Sequence, residues 1–139
     1  MMNKKLFVQV MIAMVFAIIP SYTQAKTIPK KIMEREAQHL AALGLDFHTK
    51  EDISSLDFED DDPNPPFFEY YGIGNGDGSY GYFAVNPWTG DVWALWGCRT
   101  LSTPALRKAQ AEIRHRFTAA EKKQYRKLRS LKPECISGD

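Results

Sequence analysis

The sequence is poor in the residue patterns that carry out catalysis or hold metals. Its three histidines, His39, His48 and His115, fall in separate segments. None stands at the three- or four-residue spacing that puts two ligands on one helix face. Cys98 and Cys135 are the only cysteines and no Cys-x-x-Cys occurs, so a zinc site lacks its usual ligands. No Ser or Cys occupies an elbow motif beside a base. Paired carboxylates are confined to one loop-like run, where fixed acid/base geometry is not expected. Gly76-Asp-Gly-Ser-Tyr-Gly81 matches G-x-G-x-x-G, but that fingerprint has to open a helix onto a phosphate, and here it opens a strand. These absences predict a protein that is not an enzyme and takes no cofactor and no metal.

Long apolar runs are also missing. The one candidate, Leu6 to Ile19, is interrupted by Gln9 and is shorter than the roughly 20 residues a membrane span needs. Lys4 and Lys5 precede it, Pro20 ends it, and Thr23-Gln24-Ala25 supplies small residues for a peptidase. This pattern predicts a cleavable signal peptide over residues 1–25, removed after Ala25, and a single domain over 26–139 with no stable membrane insertion. Both cysteines lie in the exported part. An even count in an oxidising compartment predicts the disulfide Cys98–Cys135.

Net charge is close to zero, yet the charges are segregated. Lys26 to Trp96 carries 5 basic and 13 acidic residues, whereas Gly97 to Asp139 carries 11 basic and 4 acidic. Such a bipolar chain can pair its own halves or steer a charged partner.

What the chain does contain is an aromatic hairpin, Tyr80 to Gly97, with all three tryptophans. Tyr80 to Val85 and Asp91 to Trp96 read as strands, and Asn86-Pro-Trp-Thr-Gly90 as the bulged turn between them. Phe67 to Ile73 reads as a preceding strand and Gly74 to Ser79 as a glycine-rich tip, giving a meander. Ile32, Met33, Ala37, Leu40, Ala41 and Leu43 recur at helical spacing from a start near Pro29 to a stop at Gly44. After Ser102 or Thr103 as cap and Pro104 in the first turn, Leu106, Ala109, Ile113 and Phe117 make a second apolar stripe. Thr118-Ala-Ala-Glu121 is a capping box that restarts a strongly basic helix to about Leu131. The fold class is therefore expected to be α+β. It comprises an antiparallel three- to four-stranded meander packed with an N-terminal helix and C-terminal helices.

Leu56 to Pro66 crowds five acids and three prolines around Phe58 and is expected to be an exposed, stiff loop. It can serve as a solvated connector, an acidic docking loop or a calcium loop; the last lacks the spaced Asp/Asn pattern and closing Glu of an EF-hand. In the docking reading, Asp57, Glu59, Asp60, Asp61 and Asp62 enter a basic cleft, Phe58 is an apolar anchor, and Trp88 at the hairpin turn is a second contact. The basic helices could instead meet an acidic partner or an anionic envelope surface, nucleic acid being excluded on compartment grounds.

The stretch Tyr82-Phe-Ala-Val-Asn-Pro-Trp-Thr-Gly-Asp-Val-Trp93 resembles the terminal hairpin of PepSY-like and NTF2-like small exported domains. The wider layout of signal peptide, helix, acidic loop, aromatic meander and disulfide-tied basic helices is similar to small periplasmic immunity proteins. Those protect a bacterium from cell-wall-degrading effectors delivered by type VI secretion. The resemblance implies a non-enzymatic periplasmic inhibitor whose partner is a cell-wall or membrane hydrolase. The alternative it leaves is a PepSY-like envelope module regulating a protease or a sensor. Neither resemblance transfers a site residue.

Overall fold

The computed structural model describes residues 27–47, 55–59, 65–74 and 78–137. The expected signal peptide, most of the Leu45 to Ser55 stretch, Asp60 to Asp62 and the centre of the glycine-rich tip lie outside the described residues.

The turn between the two hairpin strands is closed by its own side chains. Asn86 Oδ1 accepts the backbone N–H groups of Trp88 (2.9 Å) and Thr89 (3.2 Å). The Gly90 amide returns to the Asn86 carbonyl at 2.9 Å, and the Asn86 amide reaches the Asp91 carbonyl at 2.9 Å. Gly90 has φ +72°, and a Cβ there would stand 2.7 Å from Ile113 Cδ1. Backbone conformation and helix packing therefore both demand glycine at that position.

From this turn the sheet builds outward. Five antiparallel strands, β1 (Leu56–Phe58), β2 (Phe68–Ile73), β3 (Ser79–Val85), β4 (Val92–Ala94) and β5 (Arg99–Thr100), lie in sequence order. The meander is thus two short edge strands wider than its three evident members. β1 pairs Leu56 with Gly72, Asp57 with Tyr71 and Phe58 with Tyr70. Asp57 and Phe58 are accordingly strand residues, and the acidic stretch expected to be all loop begins as an edge strand. Gln38 donates to the Leu56 carbonyl at 2.7 Å, covering a backbone group that the edge would otherwise expose.

Four helices complete the α+β fold: α1 (Glu34–Gly44), α2 (Pro104–His115), α3 (Ala119–Lys122) and α4 (Tyr125–Arg129). α1 starts at Glu34 rather than near Pro29 because the amides of Lys31 and Ile32 are bound to the Pro87 carbonyl at 2.9 and 3.2 Å. Glu34 and Glu36 then occupy its first turn, where negative charge suits the helix dipole. Thr103 caps α2 by accepting from the Leu106 amide at 3.1 Å, and its hydroxyl donates to the Leu43 carbonyl at 2.8 Å. One residue thus joins the start of α2 to the end of α1. The capping box at Thr118 and Glu121 forms as expected. The single basic helix expected after it is broken at Lys123 and Gln124. The bend sets the Tyr125 ring edge-on to Phe117, with centroids 5.1 Å apart.

Tyr70, Phe83, Val85, Val92 and Ala94 form the inner face of the sheet. They pack on Ala37, Leu40 and Ala41 of α1 and on Leu106, Ile113 and Phe117. Tyr70 is almost fully buried and donates its hydroxyl to the Glu34 carbonyl; burial pushes its pKa well above the usual tyrosine range. A smaller cluster, Phe67, Ala84 and Leu95 with Trp93 and Leu131, lies on the other face. There the C-terminal segment is anchored by the Ile136 amide to the Leu95 carbonyl (3.2 Å) and by the disulfide Cys98–Cys135.

Cys98 and Cys135 are 37 residues apart, which in the loop-entropy model corresponds to about 4 kcal/mol of stabilisation. The Cys98→Ser/Cys135→Ser protein should lose stability of that order in urea unfolding. A loss under about 1 kcal/mol would show that closing this loop does not constrain the unfolded chain.

Lys31 Nζ lies 2.8 Å from Glu121 Oε1, and that bond, with the Thr118 amide, holds the Glu121 carboxyl below the usual glutamate range. A lowered folded pKa contributes stability above the unfolded value that disappears as pH falls through the folded one. Glu121→Gln should therefore lower the melting temperature at pH 7 and leave it nearly unchanged at pH 3. An equal deficit at both pH values would rule out the ion pair as the cause.

Candidate functional site

Alternation along β1 divides the predicted acidic site. Phe58 turns to the helix side, its ring 6.3 Å from Phe68 and 5.6 Å from Tyr70. Asp57 and Glu59 take the opposite face by the pleat. Asp57 is exposed and Glu59 half-buried, with the Glu59 amide bound to the Glu69 carbonyl at 3.1 Å. Trp88 stands at the same end of the sheet as the loop that follows β1, but on the helix side. Its indole N–H donates to the Ile28 carbonyl at 2.9 Å and its ring packs on the main core. The predicted contacts are thus not one surface among the described residues. Asp57 and Glu59 lie on the face away from the helices, while Phe58 and Trp88 are packed with the core.

The face bearing Asp57 carries a feature that sequence reasoning missed. Register places Asp57 opposite Tyr71 and Tyr71 opposite Tyr82. The two tyrosine rings are 4.8 Å apart, and Trp96 lies edge-on to Tyr82 at 6.0 Å. Asp57, Tyr71, Tyr82 and Trp96 form a row across the strands. Trp96 is 49% exposed and both tyrosines are half-buried. The bulged backbone allows this arrangement. Gly81 has φ +98°, and a Cβ on it would come within 3.0 Å of Trp96 Cε3. β4 ends at Ala94, so Trp96 leaves the strict alternation that would have aligned it with Val92 and Ala94.

Above this row the same face is partly covered. Ala84 and Leu95 are fully buried, and Phe67 and Glu69 nearly so. Trp93 is half-buried among them, and its Nε1 is buried without a hydrogen-bond partner. The open part therefore presents aromatic rings ending in carboxylates. Aromatic faces attract cations, and desolvated Tyr and Trp side chains dominate protein interfaces. The row suits a partner that inserts Lys or Arg side chains beside apolar ones. Among the described residues no group of three or more His, Cys, Asp or Glu could hold a metal, and no helix is long and apolar enough to cross a membrane.

Comparison with known proteins finds no matching family model, no similar curated protein and no similar solved structure.

Trp93→Phe keeps part of the ring packing and removes the unpartnered N–H, two effects of opposite sign, so urea unfolding should show a change within about 1 kcal/mol. Trp93→Ala, which leaves a cavity, should cost about 3 kcal/mol or more. Equal losses in the two variants would mean that a single six-membered ring recovers none of the packing and that the full indole shape is required.

Proposed function

We propose that this chain is a non-enzymatic periplasmic binding protein that blocks a hydrolase attacking the cell envelope. This is the role of the type VI secretion immunity proteins its layout resembles. The observation that carries the reading is the half-open row Asp57, Tyr71, Tyr82 and Trp96. It combines rigid aromatic contact area with a carboxylate end on the face that the helices leave uncovered. A hydrolase that binds anionic or sugar polymers presents basic and apolar groups at its cleft, the complement of this row. In sequence, Asp57 and Glu59 belong to an acidic run that continues to Asp62. Export agrees with the signal-like N-terminus and with the Cys98–Cys135 disulfide, since such bonds persist in oxidising compartments.

The test is capture of a periplasmic hydrolase by the processed protein, followed by assay of its inhibition. Single Tyr82→Ala and Trp96→Ala changes should each weaken inhibition about 30-fold if they act as interface hot spots. Asp57→Lys with Glu59→Lys should slow association and flatten its salt dependence. Inhibition unchanged in the Tyr71→Ala/Tyr82→Ala/Trp96→Ala protein would exclude this face. A captured sensor or regulatory protease, with no inhibited toxin, would favour the PepSY-like alternative instead.

A further inference from the structure

The basic residues of the C-terminal third are not evenly spread. Arg114 of α2, Lys122 of α3, and Tyr125, Arg126 and Arg129 of α4 line one shallow depression of ≈ 270 Å³. No carboxylate is among these lining residues. Two cations outside it face carboxylates: Lys31 pairs with Glu121, and Arg116 with Glu36. Asp91 reaches one of these lining residues, Arg129. It accepts the Thr89 hydroxyl at 2.7 Å, and its Oδ2 is 3.8 Å from Arg129 Nε.

Like charges gathered at one depression repel each other, and here they come from three elements, α2, α3 and α4, that the local structure holds together. Arg114 lies over the Tyr125 ring at 5.0 Å. Tyr125 meets Phe117 edge-on, and the Leu128 carbonyl accepts from the buried Asn86 side chain at 2.9 Å. The Lys31–Glu121 bond fixes α3. The cations therefore stand on elements tied to the core. Tyr125 adds a hydroxyl that stays protonated, because burial raises its pKa, with Asp91 adding to the effect.

We propose that Arg114, Lys122, Tyr125, Arg126 and Arg129 form a binding site for a phosphate group, free or carried on a lipid headgroup. The guanidinium forks of Arg114 and Arg126 match tetrahedral oxyanions through paired N–H donors, while Arg129, which also faces Asp91, adds positive charge at the edge. The site is independent of the aromatic row and of any hydrolase partner.

The test uses the full, folded chain at constant ionic strength. Inorganic phosphate replacing chloride should shift the backbone amide resonances of residues 114–129 in a saturable way. Arg114→Gln/Arg126→Gln should weaken that binding at least tenfold, whereas Lys108→Gln, an exposed cation outside the depression, should leave it unchanged. Co-sedimentation with phosphatidylglycerol vesicles but not phosphatidylcholine vesicles, reversed by inorganic phosphate, assigns the phosphate to a lipid headgroup. Phosphate binding without sedimentation assigns it to a soluble source. Neither phosphate shifts nor sedimentation, or binding that survives the double variant with its fold intact by circular dichroism, overturns the site.

Discussion

The buried Asn86 side chain is the contact on which the other parts of the molecule depend. It is fully removed from solvent, so each of its polar atoms needs a partner. Oδ1 takes two amides of its own turn, and Nδ2 donates to the Leu128 carbonyl. The first contacts set the turn, and with it the pairing of β3 and β4. The last ties α4 to the sheet. The neighbouring Pro87 carbonyl holds the segment that leads into α1. One turn thus fixes the entry of the first helix and the position of the last. A buried donor or acceptor left without a partner costs about 1–3 kcal/mol, and here the lost geometry would reach three elements together.

That junction also explains why the two faces of the sheet differ. α1 and α2, with Tyr125 and Leu128 of α4, pack on the face of Tyr70, Phe83 and Val92. An antiparallel sheet tolerates one face in water, but this one carries Tyr71, Tyr82, Trp93 and Trp96. The C-terminal segment, held by the Cys98–Cys135 bond and the Ile136 amide, covers the part around Phe67, Ala84 and Leu95. The remaining row is left half-open.

Much of the architecture was legible because it rests on local chemistry. The stripes of α1 and α2, the Thr103–Pro104 start, the Thr118–Glu121 capping box and the Asn86–Gly90 turn each follow from a few neighbouring residues. The edge strands were not legible: β1 and β5 are too short to show a period, and β1 runs straight into the acidic stretch. The start of α1 was misplaced because a long-range bond to Pro87 overrides what Pro29 suggests. The aromatic row was hidden for a different reason. Phe68, Tyr70 and Tyr71 make both parities of β2 aromatic, so only register decides that Tyr70 is core and Tyr71 is surface. Trp88 looked like a free turn residue because nothing local announces its bond to Ile28.

The charge asymmetry of the sequence survives folding. Lys31–Glu121, Arg116–Glu36 and Arg129–Asp91 each join the acidic and basic portions of the chain. Internal pairing of this kind uses Arg116 and Arg129 out of the eleven basic residues after Trp96, so among the described residues it neutralises only a small part of that charge. What remains is sorted in space. Asp57 and Glu59 sit at the end of the aromatic row, while Arg114, Lys122 and Arg126 gather around Tyr125. A molecule with separated fields of opposite sign is oriented by them before contact. On the two proposals, the sheet face would draw a cationic partner and the helices an anionic group. Occupation of one does not require the residues of the other, so a protein held by phosphate at its basic side can keep its aromatic row open to a partner.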